Sequence, residues 1–319
     1  MLFLIMGLLW GVPYMMISIA VSELSPATLV WARTGIGALV LLPVAGARRQ
    51  LRPVLEHWRA LLAFTAIEIC GPWFLIGFAQ QSLTSSLTGL LIAAVPLVAV
   101  VIAVLTREET FDGRRMIGLL VGFAGVAALV GFDIGADNLW AVAAIGGVTI
   151  GYAVGPIILA RHLNDVSSVA VMALSLAIAA LVYTPFGVAQ WPSTSVTTPV
   201  WLSIIGLGLV CTATAFVVYH KLVAEVGASR STVITYINPA VALVLGSLVL
   251  DEPLTPITGF GFLLIIIGSM FAAGRTRTTP IGHRSKQAER MWAIKEFPQS
   301  VGQMDALLGS GTQPAEGSQ

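Results

Sequence analysis

Charge is scarce in this chain. Only 10% of its 319 residues are Asp, Glu, Lys or Arg, against roughly a quarter in a soluble domain. A chain that is 56% hydrophobic cannot cover itself with polar surface in water. Histidine (4) and cysteine (2) are also rare. Cys70 and Cys211 both fall inside apolar runs and read as small packing residues, not as a disulfide framework or metal ligands. No metal-ligand spacing, phosphate-cradling glycine loop or nucleophile–base pair occurs, so neither an enzyme nor a cofactor is expected. No ATP-binding module is present, so a gradient must supply any energy. The net charge of +1 offers nothing to a nucleic acid, and none is expected as a partner.

What the chain has instead is apolar length. Runs of about 18–24 residues, enough for a helix to cross hydrocarbon, recur at 2–21, 27–45, 59–79, 86–105, 115–132, 139–160, 168–189, 200–223, 228–250 and 256–273. Open strands would leave backbone groups unpaired in lipid. The expectation is therefore an all-α integral membrane protein of ten transmembrane helices, with the lipid bilayer as its first partner.

Lys and Arg gather on cytoplasmic loops of membrane proteins. With the amino terminus inside, ten spans put Arg48, Arg49, Arg52, Arg59, Arg107, Arg114, Arg115, Arg161, Lys221, Arg230 and the six basic residues of the tail on one side. The opposite loops hold only Glu23, Asp133, Asp137, Asp251 and Glu252. Both termini are thus expected in the cytoplasm. Residues 275–319, ending in GSGTQPAEGSQ, read as a mostly disordered tail, with a short surface helix conceivable over 286–308.

A shift of 143 residues aligns the chain with itself. Trp58 meets Trp201, Ser86 meets Ser229, Pro96 meets Pro239, Glu109 meets Glu252, Gly118 meets Gly261, Gly125 meets Gly268 and Gly131 meets Gly274. Two units follow, 1–132 and 139–274. Five helices is an odd number, so the second unit enters the membrane the other way up. Inverted repeats around a central cavity are a recurring transporter architecture, with the substrate near the midplane.

The second half carries the pattern Ser229–x9–Pro239–x12–Glu252–x8–Gly261–x6–Gly268, and the first half repeats it from Ser86 to Gly125. Together with LLWG in the first span, and Pro26 and Arg33 in the second, these residues resemble the EamA-type branch of the drug/metabolite transporter superfamily over about 1–274. The resemblance implies ten helices as two inverted five-helix repeats, working by alternating access in a bacterial inner membrane. It implies transport of a small molecule, usually the export of an amino acid or related metabolite. It also implies a structural role for Arg33. The short multidrug relatives depend on a carboxylate in the first helix, and this chain has none there.

Several residues are candidates for chemistry. Glu68 is a carboxylate within the third span, where ionisable groups are functional by default. A substrate ammonium, a proton or an internal pair with Arg33 would each suit it. Pro96 and Pro239 free a backbone carbonyl and are candidate hinges. Asn238 either repairs the ladder that Pro239 breaks or faces substrate. Helical spacing offers cavity faces at Gly7, Gly11, Tyr14 and Ser18 with Trp10 beside them, and at Thr149, Tyr152 and Pro156. It offers others at Thr212, Phe216 and Tyr219, and at Ser229, Thr232 and Tyr236. Trp10, Tyr14, Glu68, Trp73, Tyr152, Phe216, Tyr219, Tyr236 and Asn238 are the substrate-binding candidates. Small residues and hydroxyls also hold membrane helices together, so packing is the competing explanation for each. His220 beside Lys221 reads as interfacial. A non-transporting scaffold or sensor of the same fold, or a transporter of nucleosides, sugars or drugs, is the alternative. Neither the coupling ion nor the oligomeric state is written in the sequence.

Overall fold

The computed structural model describes residues 1–107, 112–133, 138–226 and 234–272. Among these there is no strand. Eight helices are long and apolar enough to cross a membrane: α1 (Leu2–Val21), α2 (Pro26–Ala47), α3 (Trp58–Ala79), α4 (Ser85–Leu105), α5 (Gly113–Gly131), α6 (Leu139–His162), α7 (Ser168–Ala189) and α8 (Thr198–Tyr219). Two shorter apolar helices complete the set, α9 (Ile234–Val249) and α10 (Pro256–Ala272). The chain is a ten-helix membrane protein. The expected start of the ninth span, together with Glu109, Ser229, Thr232 and the tail, lies outside the described residues, as does the His220 side chain.

Local chemistry sets the helix starts. Ser25 caps α2 by accepting the Thr28 N–H at 3.1 Å, with Pro26 in the first turn, where a missing N–H costs nothing. The α1–α2, α3–α4, α7–α8 and α9–α10 connections share one face of the bundle, called here the far face. Glu23 joins two of them by accepting the N–H and hydroxyl of Thr197. Those two bonds hold the Glu23 carboxyl below the ordinary range. The arginine-bearing near face has its own cross-links. Ser167 donates to Gln50 at 2.9 Å, and His57 lies 3.6 Å from Asp165.

Lipid gives helices no hydrophobic reason to associate, so close packing at small residues holds them. A Cβ on Gly118 of α5 would stand 2.8 Å from the Gly268 carbonyl oxygen of α10, and one on Gly125 2.7 Å from that of Gly261. The repeat equates Gly118 with Gly261 and Gly125 with Gly268, so each contact is the image of the other. Gly125→Leu is expected to drive the two backbones apart and lower the melting temperature of the detergent-solubilised protein by several degrees, since overpacking costs roughly 1–3 kcal/mol. Gly146→Leu, at a glycine with open space before it, should leave melting unchanged. Equal melting of the two variants would refute the packing argument.

Two further features bear on the site. α3 winds as a π-helix over Thr65–Cys70, and α8 does so over Gly206–Thr214. The 143-residue shift places 65–70 on 208–213, so the same wide turn occurs at equivalent places in both halves. Such turns are rare and often functional. The two prolines, by contrast, differ. α4 breaks at Ala93–Ala94 and restarts at Val95 with Pro96 in the new first turn. There Pro96 disrupts no hydrogen bond, so it follows a break and does not kink a continuous helix as expected. Pro239 does lie inside an unbroken α9.

Candidate functional site

Arg33 of α2 sits in the middle of the bundle and is only 8% exposed. Its Nε donates to the Thr212 hydroxyl at 3.0 Å. That hydroxyl donates in turn to the Leu207 carbonyl at 2.7 Å, five residues back, a reach that the π-helical turn of α8 provides. The guanidinium carbon lies 3.7 Å from the centroid of the Trp73 ring, a cation–π geometry. Trp73 and Tyr152 both pack in the apolar cluster beside it. Tyr14, Tyr152 and Cys211 are the electrostatic neighbours of Arg33. Three helices and the π-turn of a fourth therefore surround this one side chain, with an indole, a threonine and two tyrosines.

Its terminal nitrogens make no hydrogen bond among the described residues. Nor does Arg33 pair with a carboxylate there, since the ion pair found is His57–Asp165. The internal Arg33–Glu68 pair considered from the sequence does not form.

Glu68 lies on the π-turn of α3. Its Oε2 is enclosed and has no hydrogen-bond partner. It rests against Gly155 of α6, where a Cβ would stand 2.8 Å from the carboxyl carbon. Both Glu68 and Arg33 act electrostatically on Tyr152 of α6.

The sequence candidates do not form one cluster. Tyr14, Trp73 and Tyr152 gather near Arg33, while Glu68 lies apart from it against Gly155. Trp10 instead packs against Tyr219 with the rings tilted and centroids 4.8 Å apart, and meets Phe216 edge-on at 6.1 Å, forming an aromatic seam between α1 and α8. Phe216 and Tyr152 both pack on the cluster that contains Trp73, which links the seam to the residues near Arg33. Tyr236 and Asn238 are half-buried on α9. The Asn238 Oδ1 is enclosed without a hydrogen-bond partner. Gly7 and Gly11 face α9 and no cavity: a Cβ on Gly11 would stand 2.9 Å from the Asn238 carbonyl oxygen. Their apparent cavity face is a packing face. No group of three or more His, Cys, Asp and Glu that could hold a metal occurs among the described residues, and both cysteines are free thiols.

A bundle of ten apolar helices holding a buried guanidinium and a half-buried carboxylate, neither paired with an opposite charge among the described residues, has the build of a membrane transporter. The chain belongs to the EamA-like transporter family, whose profile matches residues 1–131 and again 138–274. Relatives carry transporter names without assigned substrates. The uncharacterized transporter YvbV of Bacillus subtilis is 27% identical over 263 residues, covering 81% of this chain and 86% of its own. YoaV of the same organism is 22% identical, covering 82% and 91%. An uncharacterized transporter of Archaeoglobus fulgidus is 24% identical over 280 residues, covering 85% and 84%. A solved structure described as "Crystal structure of protein" shares the fold, with a TM-score of 0.59 at 20% identity over 91% of this chain and 97% of that one.

Proposed function

We propose that the protein exports an amino acid or amino-acid derivative from a bacterial cytoplasm across the inner membrane, by alternating access between its two halves. Both termini and the arginine-rich near face are cytoplasmic in this reading. The observation that carries it is a pair of ionisable groups inside the bundle, Arg33 and Glu68, neither with a side-chain counter-ion among the described residues. A buried ion without a partner costs several kcal/mol, and intramembrane charges mark substrate or ion pathways. A zwitterion resolves both at once. Its carboxylate takes the free fork of Arg33, which suits planar bidentate anions. Its ammonium takes Glu68. Trp73, Tyr14 and Tyr152 supply apolar walls with few polar tips, as small-ligand sites do. A proton is the other ligand that Glu68 would accept, and its uptake there would couple export to a pH gradient.

Counterflow in proteoliposomes tests this. Vesicles are loaded with α-amino acids, with amines lacking the carboxylate, with acids lacking the amine, and with nucleosides and sugars. Exchange is expected for the zwitterions alone. Exchange of nucleosides or sugars would replace the substrate class, and no exchange by folded protein would favour a non-transporting scaffold.

A further inference from the structure

At the far face, α9 ends at Val249 and the chain turns through Asp251, whose φ of 52° is left-handed, a conformation that Asp tolerates better than most residues. The turn brings the Glu252 N–H back to the Gly246 carbonyl at 3.1 Å and sends its side chain across to α4. There Oε1 accepts the Ser85 N–H at 2.7 Å, and Oε2 accepts the Ser86 N–H at 2.9 Å. First-turn amides have no partner inside their own helix. Thr84 accepts only that of Leu87, at 3.2 Å. A carboxylate 167 residues away in sequence therefore completes the α4 cap, at the positive end of the helix dipole.

This contact is enclosed. Glu252 is 9% exposed, and no basic side chain pairs with it among the described residues. The niche exists because residue 246 is glycine. A Cβ there would run into Glu252 Oε2 and the Ser86 hydroxyl, and would stand 2.9 Å from the Ser85 hydroxyl. One to two turns further in, a Cβ on Gly89 of α4 would meet Ala242 of α9 at 2.7 Å and the Tyr14 ring of α1 at 3.5 Å. So α1, α4 and α9 converge beneath the carboxylate, and Tyr14 belongs to the Arg33 site. The other contacts in this convergence are apolar and non-directional. The Glu252 bonds are directional, and they can break without unwinding either helix.

We infer that Glu252 is a positioning residue for transport, a clasp that keeps the far ends of α4 and α9 together and so closes the route from the Arg33 site to the far face. The inference rests on the alternating-access reading above. It does not need the substrate to be known.

The test uses the full chain in lipid nanodiscs, with Cys70 and Cys211 replaced by serine. Spin-label pairs are placed across the far face, at Ser82→Cys with Leu254→Cys, and across the near face, at Thr106→Cys with Glu225→Cys. Glu252→Gln breaks the clasp from the acid side, and Gly246→Ala breaks it from the niche. Each is expected to shift the far-face distance to longer values and the near-face distance to shorter ones. Unchanged distances in either variant would overturn the inference. So would a broadening of both pairs together, which is what general loosening produces. Counterflow by the unsubstituted protein is scored separately. Flux without a distance change removes the clasp and leaves the transport reading, whereas a distance change without flux does the reverse.

Discussion

Glu68→Gln is expected to abolish counterflow of zwitterions while the protein still inserts and elutes as a folded species. The substitution is nearly isosteric, so the contact with Gly155 survives. It breaks no hydrogen bond at Oε2, because that atom has none. What it removes is the ability to carry a negative charge or a proton. A hydrogen bond to a charged group contributes about 1.5–3 kcal/mol, so loss of the ammonium partner should weaken binding roughly ten- to hundredfold. The same variant separates the two roles open to Glu68. If the carboxylate binds the ammonium, counterflow and gradient-driven flux fall together. If it carries the coupling proton, counterflow persists and only the response to a pH gradient disappears. Unaltered transport in both assays would remove Glu68 from the mechanism.

Much of this architecture was legible in the sequence because lipid imposes strict rules. Apolar runs of sufficient length become helices, and all ten expected spans correspond to helices among the described residues. The fixed 143-residue shift carried the glycines that now meet between α5 and α10. Other features had no one-dimensional signal. The π-turns at Thr65–Cys70 and Gly206–Thr214 follow from how α3 and α8 accommodate their neighbours, not from periodicity. Spacing alone could not separate Gly11, which faces α9, from Tyr14, which reaches Arg33, since both lie on one helical stripe. The role of Glu252 was hidden for a different reason. Its partners are backbone amides, which every residue but proline has, so no complementary side chain betrays them. Arg33 was visible as a charge, but the absence of a paired acid is a fact of three dimensions.

That absence makes Arg33→Lys the most discriminating substitution in the core. Lysine keeps the positive charge and loses three things: the planar fork, the stacking over Trp73 and the Nε bond to Thr212. If the guanidinium grips a substrate carboxylate bidentately, KM should rise roughly ten- to hundredfold, the loss of about 1.5–3 kcal/mol of charge-assisted bonding. If Arg33 serves only to brace the helices, KM should hold and melting alone should fall. Thr212→Val provides the calibration. It deletes one orienting bond and leaves the fork intact, so its effect on KM should be smaller than that of Arg33→Lys. In the Arg33→Lys background, Thr212→Val should add little, because the bond it deletes is already gone. Residues that act through one another are non-additive in this way. Full additivity of the two substitutions in KM would mean that Thr212 does not orient Arg33 toward a ligand.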